Sequence, residues 1–147
     1  MERCIDQLSL LSFDNILVTI GFRSSIFENF IKKLNTKYNF NIDIFLEKQP
    51  LGECGALWQV QENLSENFIF INGDLIFSID FERLISFHKR LSSNLTLVTH
   101  TSDHPNDSDL VSASNGSLVD EIYSKKKSKD IETKAYLGNS GIFIINK

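Results

Sequence analysis

Cysteine, proline and methionine are scarce in this chain, and neither sign of charge dominates it. Two cysteines, Cys4 and Cys54, cannot build a disulfide framework. No Cys/His pair has the spacing of a zinc site, so the expectation is a reduced, cytoplasmic protein. A formal net charge of -4 argues against a protein built to neutralise nucleic-acid phosphates, which makes nucleic acid an unexpected partner. Apolar runs stay short. Ile16–Ile20, Phe68–Ile71 and Ile142–Ile145 fall far below the roughly 20 residues of a spanning helix. The opening residues carry acids where a signal peptide is basic. A membrane is therefore not an expected partner either. Two prolines and seven glycines also exclude collagen-like and largely disordered chains.

What is present suits one compact α/β domain over residues 1–147, with 41% hydrophobic side chains to fill its core. Ile5, Leu8 and Leu11 recur at helical spacing. Ile16–Ile20 reads as a strand apolar on both faces, as in parallel sheets covered on both sides. Ser25 and Glu28 form a capping-box pattern before Phe27, Phe30, Ile31 and Leu34, which fall on one helix face. Phe40, Ile42 and Ile44 alternate as a second strand. Ala56, Leu57, Val60 and Leu64 predict another helix, Phe68–Ile71 a third strand, and Leu95–Thr99 a fourth. Asp80 is placed to cap a helix carrying Phe81, Leu84, Ile85, His88 and Leu91. Asn115-Gly116 predicts a tight hairpin turn, and a lysine-rich loop (Lys125, Lys126, Lys127, Lys129) precedes the last strand. Strands alternating with helices predict right-handed βαβ units and a three-layer, mostly parallel sheet with an added antiparallel hairpin. The chain opens in a helix and stops just after a strand, which reads as truncation at both ends.

Chemistry is expected beyond the carboxyl ends of the strands. There Phe68–Ile71 runs into Asn72-Gly73-Asp74. Gly73 leaves room for a ligand, and Asp74 offers a hard oxygen suited to Mg²⁺ shared with phosphates. A plain turn with a backbone-bonded aspartate has the same signature. Pro50-Leu51-Gly52-Glu53-Cys54-Gly55 brings glycines to a helix start, either for ligand contact or for packing. Gly138-Asn139-Ser140-Gly141 lacks the spacing of a nucleophile elbow, but Asn139 can both donate to and accept from sugar hydroxyls. His88, on an apolar stripe, reads as a core histidine. His100 and His104 with Asp103, Asp107 and Asp109 form a cluster without defined metal geometry.

Taken in order, Glu47 with Pro50-Leu51-Gly52 and Gly55-Ala56-Leu57, then Phe70-Ile71-Asn72-Gly73-Asp74, then Asn139-Ser140-Gly141-Ile142-Phe143, resemble the sugar-1-phosphate nucleotidyltransferase family. The stretch from His100 to Leu110 resembles its manno-heptose 1-phosphate branch. The resemblance implies a Rossmann-like fold of the nucleotide-diphospho-sugar transferase type, here without its first strand. It implies that a sugar 1-phosphate and a nucleoside triphosphate give nucleotide-sugar and pyrophosphate, with Mg²⁺ as cofactor. By the same resemblance Asp74 is the metal-binding catalytic acid and Lys126 meets the sugar phosphate. Glu47, Pro50, Leu51, Gly52, Gly55, Asn72 and Gly73 contact the nucleotide, and Asn139, Ser140 and Gly141 the sugar. The family's glycine-rich triphosphate loop would precede Met1, and its second metal-binding aspartate would follow Lys147. That leaves two alternatives: a catalytically inactive piece that binds nucleotide or sugar, or half of a split enzyme completed by a partner chain or fused domain.

Overall fold

Short apolar strands separated by amphipathic helices divide this chain into two compact units, Met1–Glu66 with Ile76–Leu84, and Asn67–Leu75 with Ile85–Lys147. The computed structural model describes residues 1–13, 15–22, 24–52, 54–101, 109–115, 117–124 and 137–147.

In the first unit, α1 (Glu2–Leu8), β1 (Asn15–Ile20), α2 (Ser24–Asn35) and β2 (Asn41–Leu46) follow in order. β1 and β2 pair in parallel, Ile16 opposite Ile42 and Ile20 opposite Leu46. The periodic apolar positions of α1 and α2 meet the strands in a core of Ile5, Ile20, Ile31, Leu34 and Ile42. α2 begins at Ser24, one residue before the expected cap at Ser25. At its other end the Asn35 amide imitates a peptide group. Its Nδ2 donates to the Ile42 carbonyl at 3.0 Å and its Oδ1 accepts from the Ile42 N–H at 2.8 Å, which ties α2 to β2 and satisfies both backbone groups.

α1 is fastened at the surface. Lys37 Nζ donates to Glu2 at 3.0 Å and Asp6 at 2.9 Å, and the Tyr38 hydroxyl donates to Asp6 at 2.6 Å. The Tyr38 and Lys37 hydrogen bonds hold the Asp6 carboxyl below its ordinary value of 3.8, while the hydrogen bond to Asp6 pushes Lys37 up. Burial, then the bond to Asp6, pushes Tyr38 up. After β2 come α3 (Gly55–Val60) and a 3-10 turn, Gln61–Asn63. Ala56 and Val60 of α3 are buried, as the helical spacing predicts.

The second unit holds β3 (Asn67–Ile71), most of α4 (Phe81–Leu91), β4 (Leu95–Thr101), β5 (Leu110–Ser114), β6 (Leu118–Tyr123) and β7 (Leu137–Asn146). Asp80 caps α4 as expected, its Oδ1 accepting from the Arg83 N–H at 2.9 Å. His88 is buried, its Nδ1 lying 2.7 Å from Thr96 Oγ1, so it is a satisfied core histidine. The hairpin turns at Asn115, whose φ of 51° is the left-handed value the Asn-Gly pair predicts.

The α/β class stands, and the sheet is mixed. The expectation of mostly parallel pairing needs correction. Among the described residues only β1–β2 pair in parallel; β3–β7, β4–β7, β5–β6 and β5–β7 are antiparallel. β3 and β4 do run the same way, but β7 lies between them and bonds both. Ile142 and Ile144 of β7 are buried, and Phe143 and Ile145 half-buried, as a central strand requires. An apolar run reports that a strand is covered on two faces, not which strands flank it.

Candidate functional site

The site residues of the second unit gather where β3 ends and β7 changes course. Past the last paired residues, Ile71 and Ile142, the Asn72 N–H donates to the Gly141 carbonyl at 3.0 Å. This one bond joins the Asn72-Gly73-Asp74 turn to Asn139-Ser140-Gly141. Gly141 has a φ of +74°, a conformation that costs glycine little and other residues more. A side chain there would also meet Asn72, whose Nδ2 lies 2.6 Å from the place of a Cβ. Asn72 packs on the glycine that the same turn needs.

β7 is irregular at this point. Leu97 of β4 faces Phe143 and Thr99 faces Asn139, so Val98 alone stands against three β7 residues, Ser140 to Ile142. Ser140 Oγ donates to the Val98 carbonyl at 2.7 Å. Asn139 Oδ1 accepts from the Gly141 N–H at 3.1 Å, and the Asn139 N–H donates to the Asp109 carbonyl at 2.9 Å. Asn139 and Ser140 are half-buried, and Gly138 and Gly141 buried.

Asp74 is exposed, and its carboxylate has no hydrogen-bond or ion-pair partner among the described residues. Gly73 is exposed too, with nothing within 4 Å of where a Cβ would stand. A single hard carboxylate beside open space fits Mg²⁺ shared with phosphate oxygens. It does not fit a site built from protein alone, since no three His, Cys, Asp or Glu cluster for a metal among the described residues. The expected cluster around His100 falls partly outside them, with Asp103, His104 and Asp107. His100 itself is exposed at the end of β4, its Nδ1 2.8 Å from the Thr101 carbonyl. Lys126 and Glu53 also lie outside the described residues.

The other expected residues belong to the first unit. Glu47 extends the strand pair, its N–H donating to the Ile20 carbonyl at 2.9 Å. Pro50 and Gly52 are exposed and Leu51 half-buried. Gly52 has a φ of +78°, so its glycine serves the turn. Gly55 serves packing, because a Cβ there would lie 2.5 Å from the Leu51 Cβ. Cys54 caps α3 with no side-chain hydrogen bond. A cavity of about 350 Å³ in this unit is lined by Arg3, Cys4, Asp6, Gln7, Ile76 and Phe77. None of the expected site residues lines it.

Val98 escaped the reading of the sequence, and Asp109 entered it only as a member of the His100 cluster, because each meets the site through its backbone carbonyl, which no residue type announces. The bulge itself had a signal, a glycine inside a strand pattern.

Residues 1–147, the whole chain, match the family described as Nucleotidyl transferase. The chain belongs to that family. A similar relative is the mannose-1-phosphate guanyltransferase of Yarrowia lipolytica, 27% identical over 146 residues, which cover 97% of this chain and 39% of that protein. This nucleotidyl transferase chain thus spans well under half the length of that curated relative. HddC from Yersinia pseudotuberculosis, solved in complex with GMP-PN, superposes with a TM-score of 0.72 at 22% identity, over 99% of this chain and 60% of that one. A Bacillus anthracis protein in complex with sucrose gives a TM-score of 0.81 at 16% identity, over 99% and 57% of the two chains. At these identities the likeness is one of fold, and it bears out the Rossmann-like nucleotidyltransferase type. Among the described residues no helix is long and apolar enough to cross a membrane.

Proposed function

We propose that this nucleotidyl transferase chain forms the nucleotide- and sugar-contacting part of a cytoplasmic enzyme that joins a manno-configured sugar 1-phosphate to GTP. A phosphate oxygen of the sugar attacks the α-phosphorus in line, the bond from that phosphorus to the β-phosphate oxygen breaks, and pyrophosphate leaves. No group of the chain is covalently modified, so its residues act by alignment and by stabilising charge. The reading rests on one observation: the Asn72–Gly141 bond, which sets Asp74 and Asn139 at the same ends of adjacent strands. Asp74 would hold Mg²⁺ together with phosphate oxygens, where the ion supplies charge neutralisation. Asn139 and Gly141 meet the sugar, and Lys126 its phosphate. The segment from Glu47 to Gly55 meets the nucleotide. The name of the Yarrowia lipolytica relative supports mannose and guanosine, and the likeness of residues 100–110 to the heptose branch supports manno-heptose.

A second reading has its own support. The chain spans 39% of that relative, and among the described residues no three His, Cys, Asp or Glu come together to hold a metal. On this reading the chain binds its ligands without turnover, or needs a partner chain or fused domain to complete the site. Pyrophosphate release decides between them. On the first reading GTP yields pyrophosphate only when Mg²⁺ and a sugar 1-phosphate are both present, and mannose 1-phosphate run beside manno-heptose 1-phosphate fixes the sugar. Nucleotide binding without release overturns catalysis by this chain and leaves the second reading.

A further inference from the structure

The irregular stretch of β7 is built more elaborately than a strand needs. Two residues beyond the number opposed by β4 are accommodated between Asn139 and Phe143, and the Val98 carbonyl and both backbone groups of Gly141 find partners there. On the β4 side, Val98 is the residue opposite the bulge, and the Ser140 hydroxyl answers its carbonyl at 2.7 Å across 42 positions of sequence. On the β3 side, Asn72 gives its N–H to the Gly141 carbonyl and lays its side chain over the glycine. Within the bulge, Asn139 Oδ1 takes the Gly141 N–H at 3.1 Å. An N–H can be met only by the oxygen of the amide, so this bond fixes which way the Asn139 side chain is turned. Its Nδ2 then keeps its hydrogens for a ligand, with no partner among the described residues. Bulges recur beside active sites because they re-aim a side chain.

We propose that Ser140 is a positioning residue and not a sugar ligand: by holding the Val98 carbonyl it sets the bulge that turns the Asn139 amide nitrogen toward the sugar. This rests on the proposed function, since it takes Asn139 as the sugar contact. A serine hydroxyl has one hydrogen to donate, and here Val98 receives it. Without that anchor Val98 has no paired residue in the ladder, so the three residues opposite it are held on the β4 side only by the flanking pairs, Leu97 with Phe143 and Thr99 with Asn139, and their local conformation can relax. Asn139 would then lose its fixed orientation although nothing at the ligand itself had changed.

The experiment uses the full chain, its ligand-free amide spectrum and its affinity for mannose 1-phosphate. In Ser140→Ala the Gly141 backbone amide and the Asn139 side-chain amide shift before any ligand is added. Affinity falls about tenfold, the size of one lost hydrogen bond. Ser140→Thr, which keeps the hydroxyl, restores both. Should Ser140→Ala fail to fold, Ser140→Cys, nearly the same size with a weaker donor, is scored in the same way. An unchanged ligand-free spectrum with lost affinity makes Ser140 a direct ligand and overturns the proposal. Unchanged spectrum and affinity overturn it as well. No binding by the unaltered chain overturns the proposed function and this inference with it, a result told apart because the variants then have nothing to lose.

Discussion

Glycines of one kind in the sequence do different work in the fold. Gly141 is held at a φ of +74° with Asn72 packed on it, whereas Gly73 has an ordinary φ and open space where a Cβ would stand. Gly141→Ala should therefore destabilise the chain by about 1–3 kcal/mol, the cost of a non-glycine residue in a sparsely populated backbone region. Urea denaturation measures it, and adding Asn72→Ala should return the steric part but not the backbone part. Gly73→Ala should leave the urea midpoint almost unmoved. Its cost would fall on nucleotide affinity, because the new methyl occupies the approach beside Asp74. A glycine kept for shape and one kept for room are thus separable by whether stability or binding responds.

At the scale of elements, polar side chains fasten what short helices cannot hold by themselves. An isolated helix as short as α1, Glu2–Leu8, is unstable in water and depends on packing and tethers. Ile5 supplies the packing, and Asp6 with Lys37 and Tyr38 supplies the tether. Asp6 is held below 3.8, so its contribution is complete above that value and is lost as pH falls through the lower, folded-state value. Lys37 is pushed above 10.5, so its contribution is complete below that value and fades as pH rises beyond it. Stability across the neutral range should therefore be flat in this respect, with a loss below about pH 4 that Asp6→Asn removes. Because these groups are exposed, added salt should weaken the ionic part. Thermal midpoints of both chains at several pH values check it. Elements outside the site followed the sequence closely: Asp80 caps α4, His88 is buried, and Asn115 turns the hairpin.

For the whole molecule, the test that matters is linkage between ligand and fold. A ligand that prefers the native chain stabilises it by about 2.7 kcal/mol at one hundred times its dissociation constant. GTP with Mg²⁺ should accordingly raise the thermal midpoint, and chelation of the metal should remove most of the rise. Asp74→Asn should behave like the unaltered chain without ligand, since that carboxylate has no partner among the described residues. It should show a much smaller rise with Mg²⁺ and GTP. An undiminished rise in Asp74→Asn would remove that residue from the metal site.

Residue order alone determined the α/β class, nearly every helix and strand, and the membership that the motifs around Asn72-Gly73-Asp74 and Asn139-Ser140-Gly141 announce. These are local matters: apolar periodicity, capping and turn preferences act over a few neighbouring positions. Tertiary structure decided that β7 separates β3 from β4, that Ser140 answers Val98, and that Asn72 lies on Gly141. Those contacts join positions far apart in the chain, and each has on at least one side a backbone group that every residue carries, so no side-chain pattern could specify them in advance.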